Sequence, residues 1–177
     1  MFKRIGLLAI ILIGIVIMAA CSHKETRSPK TASAQCSTAS GQCVDSSGGT
    51  GKHVAVHGGS LNAIVTCENG HAEVKIDGST MQLWFVGGGP NTDKSVRVKD
   101  KSISVQVVIP GIAGKKTLVL EPKPLELAGE KIGDCSYFEG TAPWLKGIKA
   151  FTGTGTLEYT GTKSPLRIEY PKGYDPD

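Results

Sequence analysis

Polar and apolar positions along the chain follow three successive rhythms. Ile5 to Met18 is a continuous apolar run behind Lys3 and Arg4, with small residues Ala19 and Ala20 at its end. That layout predicts an export signal, because the run is too short and too abruptly ended to serve as a membrane span. Residues 22–56 are rich in Ser, Thr, Gly and Ala, with almost no large apolar side chain before Val54. Such a stretch buries too little surface to offset its own ordering and reads as a disordered tether. At about 35 residues it would span about 30 Å.

From Leu61 the rhythm becomes period two. Ala63, Val65 and Cys67 alternate with Asn62, Ile64 and Thr66 up to Asn69-Gly70, a pair suited to a two-residue hairpin turn. Ala72, Val74 and Ile76 follow, then Asp77-Gly78 as a second turn into Met81, Leu83 and Phe85. Further strands are predicted at 103–109, 117–120, 137–139, 154–159 and 166–170, with one helical turn over 143–146. No window of ten residues carries capped helical periodicity. The expectation is an all-β fold, an antiparallel β-sandwich with a small barrel as the alternative. The predicted division is a signal peptide over 1–20, a tether over 21–56 and the β domain over 57–177.

In this register Glu68 faces His71, Cys67 faces Ala72, and Trp84 lies beside His71. One face is then Ala63, Val65, Cys67, Ala72, Val74, Met81, Leu83 and Phe85, a core layer. The other carries Glu68, His71, Glu73, Gln82 and Trp84, a solvated face on which Trp84 and His71 are the candidate partner-binding residues.

Charge narrows the partners. Without residues 1–20, 157 residues remain, with eighteen basic and sixteen acidic side chains, and the part from His57 onward is neutral. No basic cluster with interleaved aromatics is present, which argues against nucleic acid. Catalysis is not expected: no His follows position 71, Gly87-Gly88-Gly89-Pro90 has no G-x-G-x-x-G layout, and Gly114-Lys115-Lys116-Thr117 lacks the earlier Gly of a P-loop.

Five cysteines suit an oxidising compartment. Setting Cys21 aside, Cys36, Cys43, Cys67 and Cys135 allow three pairings. Placement favours Cys36 with Cys43, close together in the tether, and Cys67 with Cys135.

At Met18-Ala19-Ala20-Cys21 the chain resembles the lipobox of bacterial lipoproteins, with Met18 where that family most often has Leu. The resemblance implies cleavage before Cys21, thioether lipidation of its sulfur and acylation of the new N-terminus, so that the membrane is a partner through acyl chains. Ser22, rather than Asp, resembles the pattern of outer-membrane sorting, with the domain facing the periplasm. All four histidines, His23, His53, His57 and His71, fall in the first 71 positions. His57-Gly58-Gly59 and His71-Ala72-Glu73-Val74 resemble two short pieces of a β-sandwich domain found in exported proteins that accompany heavy-metal efflux systems. That resemblance implies a transition-metal site using His57 and His71, with His53 or Glu73 as further ligands, and Zn or Cu as the ions that imidazole suits. The expected function is a lipid-anchored, non-catalytic binding or assembly module at the bacterial envelope, for a protein or small ligand, without a cofactor. The alternative is a periplasmic Zn or Cu binder linked to metal efflux.

Overall fold

The computed structural model describes residues 53–176. The predicted signal, Cys21, Cys36, Cys43 and the tether as far as residue 52 lie outside the described residues. Eight strands follow one another: β1 (Ser60–Ile64), β2 (Thr66–Asp77), β3 (Thr80–Val86), β4 (Ile103–Val108), β5 (Lys116–Pro122), β6 (Tyr137–Thr141), β7 (Phe151–Tyr159) and β8 (Thr162–Tyr170). The fold is all-β, and the one helical turn expected over 143–146 is a 3₁₀ turn at Pro143–Leu145.

All strand pairings are antiparallel, in the order β1-β2-β3-β6-β5-β4-β7-β8. Two well-paired halves, β1-β2-β3-β6 and β5-β4-β7-β8, meet at a short β5–β6 seam of two residue pairs. The sheet thus keeps the two layers of a sandwich while curling into a nearly closed barrel. Near the other edge, Asn62 forms a parallel bridge with Tyr174. Ala63 N donates to the Tyr174 carbonyl at 2.8 Å, and Glu169 N donates to Asn62 Oδ1 at 2.8 Å. Asn62 Nδ2 donates to the Ser60 and Ala72 carbonyls, so this fully buried amide has its polar atoms satisfied.

Inward residues alternate along each strand. Ala72, Val74, Met81, Leu83 and Phe85 meet Ile103, Val105, Leu120, Phe138, Leu157 and Ile168 in one core, where Phe85 and Phe138 pack edge to face.

The first hairpin departs from the expected one. Asn69-Gly70 is inside β2, and the chain reverses at Val65, whose φ is 67°. The cause is β7: a Cβ on Gly70 would collide with the Tyr159 hydroxyl, which donates to the Asn69 carbonyl at 3.0 Å. Gly70 therefore lets another strand approach rather than turning the chain. The β1–β2 register becomes Asn62↔Ala72 and Ala63↔His71. Val65 is exposed, and Ala63 and Cys67 form a small cluster apart from the main core. In the second hairpin the loop is Gly78-Ser79, and Glu73, not His71, pairs with Trp84. That register differs by two residues from the expected one, so every side chain stays on its assigned face.

The Cys67–Cys135 bridge is not formed. Cys135 is a buried free thiol of the main core, donating to the Tyr137 carbonyl at 3.0 Å, and burial raises its pKa. Cys67 belongs to the other cluster, on the opposite side of β2.

Candidate metal centre

The face of β2 that carries His71 and Glu73 was expected to be solvated, yet both residues are fully buried. What covers it is the segment from His53 to Gly59. This strap is fastened by one carboxylate: Glu73 Oε1 accepts from His57 N and Gly59 N, each at 2.8 Å, and Glu73 Oε2 lies 2.9 Å from His57 Nδ1. A charged acceptor with three donors offsets much of its desolvation. Gly59 permits the approach, since a Cβ there would press on the Val74 carbonyl. The His57 ring stacks on Trp84 at 4.3 Å between centroids, and Tyr137 stacks on Trp84 at 4.8 Å. Lys75 Nζ donates to the His57 carbonyl, and the hydroxyl of Thr92 accepts from Val54 N.

At the head of the strap His53 is buried and meets His71. His53 Nδ1 lies 3.3 Å from His71 Nε2, with the two rings edge to face. His71 Nδ1 lies 3.2 Å from the Gly87 carbonyl, which can only accept. The proton of a neutral His71 is therefore on Nδ1, and its Nε2 presents a lone pair to His53. Burial lowers the His71 pKa below the ordinary imidazole value, against the Gly87 carbonyl hydrogen bond, which raises it. His71 is thus held neutral, the form that ligates metals.

A third donor atom stands beside the pair. The Cys67 sulfur and ligand nitrogens of His53 and His71 all lie within 4.8 Å of one another, and all three residues are buried. Cys67 is disulfide-bonded, and its Sγ is 3.4 Å from Asp175 Oδ1.

The four residues expected to form one metal site thus divide into two groups. His57 and Glu73 close the strap; His53 and His71 converge with Cys67. Trp84 is half-buried between two rings, and His71 has no exposed surface to offer a partner. The missed member is Cys67. Its signal was parity: Cys67 and His71 are four residues apart on what proves to be one continuous strand, hence on one face. Comparison with known protein families, curated proteins and solved structures finds no match.

Proposed function

We propose that this chain is a non-catalytic binding module of the bacterial envelope, exported by residues 1–20, anchored through lipid on Cys21, and carrying a transition-metal site at His53 and His71. The observation that supports the metal reading is the fixed tautomer of His71. A ligating histidine commonly donates its second ring N–H to a carbonyl, and Gly87 supplies that carbonyl. The His53–His71 nitrogen separation of 3.3 Å also matches the edge of a tetrahedron around Zn with bonds of about 2.0–2.1 Å. An ion between the rings replaces the His53–His71 hydrogen bond once His53 moves its proton to Nε2. The donor set suits Zn or Cu.

Calorimetric titration of the mature chain carrying Cys21→Ser with Zn²⁺ tests this reading. One ion per chain is expected, with binding lost in His53→Gln and in His71→Gln while both variants keep the far-ultraviolet spectrum of the parent. Unchanged binding in both folded variants overturns the proposal. The anchor is tested separately: full-length Cys21→Ser should accumulate as precursor and take up no labelled palmitate, and incorporation by that variant removes the lipid from the picture.

A further inference from the structure

Cys67 is placed to do two incompatible things. Its sulfur sits within ligand range of both imidazoles, and the same atom is engaged in a disulfide. A sulfur sharing its electrons with a second sulfur is a poor metal donor; a thiolate is a strong, soft one. Tetrahedral coordination would set sulfur–nitrogen separations of about 3.5 Å, so the cluster, already inside 4.8 Å, needs only side-chain adjustment to close on an ion. We infer that Cys67 is the third ligand and the specificity-determining residue of the site, withheld while it is disulfide-bonded and supplied when that bond is reduced. This inference rests on the imidazole pair being a metal site.

The chemistry balances with a dithiol as reductant. The dithiol gives two electrons and two protons, the disulfide of Cys67 breaks into two thiols, and the dithiol becomes a disulfide. On metal binding the Cys67 proton passes to solvent and the thiolate joins His53 and His71. Without it the site offers two neutral nitrogens, a donor set for a borderline ion. With it the set gains a charge and a soft atom, which favours Zn²⁺ and Cu⁺. The oxidised and reduced proteins therefore differ in how tightly they hold metal and in which metal they hold. Nothing else at the site has to move, because His71 is fixed by Gly87 and the strap that carries His53 is fastened through Glu73.

Cobalt(II) reports sulfur ligation directly, through a thiolate-to-metal charge-transfer band in the near ultraviolet. The full mature chain with Cys21→Ser is titrated with Co²⁺ without oxygen, as isolated and after reduction. A band rising to one cobalt per chain is expected only after reduction, and it should be lost in Cys67→Ser. In the chain that keeps Cys67, Cys36→Ser with Cys43→Ser removes the remaining cysteines outside the described residues, and the band should then appear without reductant. Cobalt bound in both states with no charge-transfer band overturns the role of Cys67 and leaves the imidazole site standing. A band that survives Cys67→Ser overturns it too, since the sulfur would come from another cysteine. No cobalt bound in either state removes both readings.

Discussion

Glu73 is the residue on which most of the covered face depends. Its buried carboxylate accepts from two backbone amides and lies against the His57 ring, and none of these groups is near it in sequence. Glu73→Gln keeps the shape but replaces one acceptor oxygen by an amide that itself donates, leaving buried donors unmatched. A loss of about 2 kcal/mol is expected in urea unfolding, with weaker Zn²⁺ uptake at the proposed site, because the strap carries His53. Trp84 is a gentler case. Rings cover it on both sides, so Trp84→Ala should cost about 1–3 kcal/mol, two aromatic pairs, well short of a large core deletion. Calorimetric or urea unfolding of that variant checks the value. His71 sets the acid limit. Its pKa is below 6.5 in the folded protein, so the unfolded chain takes up the proton first. Stability is full above the ordinary imidazole value and declines as pH falls through it toward the lower folded value. A His71→Gln variant, if folded, should flatten that part of the pH profile of unfolding.

Among the elements, β2 shows what was legible in the sequence and what was not. The alternation of Ala72, Val74, Met81, Leu83 and Phe85 identified a core face from the side-chain period alone, and all five residues are buried as expected. Asn69-Gly70 misled, because a glycine selected for space and a glycine selected for a turn look alike in one dimension. The space was needed by Tyr159, 90 residues away along the chain from the carbonyl it binds. Reading a turn there reversed the parity of the preceding strand, which moved Cys67 from the face of His71 to the core face. The histidines were found by residue type, but their division into a strap clasp and a buried pair depends on a segment whose composition resembles a tether. Gly70→Ala tests the spatial account. It should destabilise the domain by about 3 kcal/mol, the scale of overpacking against a fixed neighbour, whereas a turn glycine replaced by alanine costs closer to 1 kcal/mol. Equilibrium unfolding separates these values.

For the whole molecule the decisive residue is Asn62, whose side chain joins β1 to β2 through the Ala72 carbonyl and to β8 through the Glu169 amide. Asn62→Ala removes one acceptor and two donors from a fully buried position. It should cost about 2–4 kcal/mol, several buried hydrogen bonds left half-made. Amide exchange should accelerate first at Glu169 and Ala63, whose N–H groups face that seam. The seam also sets an order of events. Asn62 and Glu169 are 107 residues apart, so a polypeptide synthesised from its amino end presents β1 long before the stretch that covers its edge has been made. During that interval β1 is an uncapped strand edge able to pair with any extended neighbour, a hazard native proteins guard against. Closing so distant a contact is entropically slow. The vulnerable period for this protein is therefore the interval before β8 is complete, when the extended β1 edge is open to a neighbour, rather than the folded state.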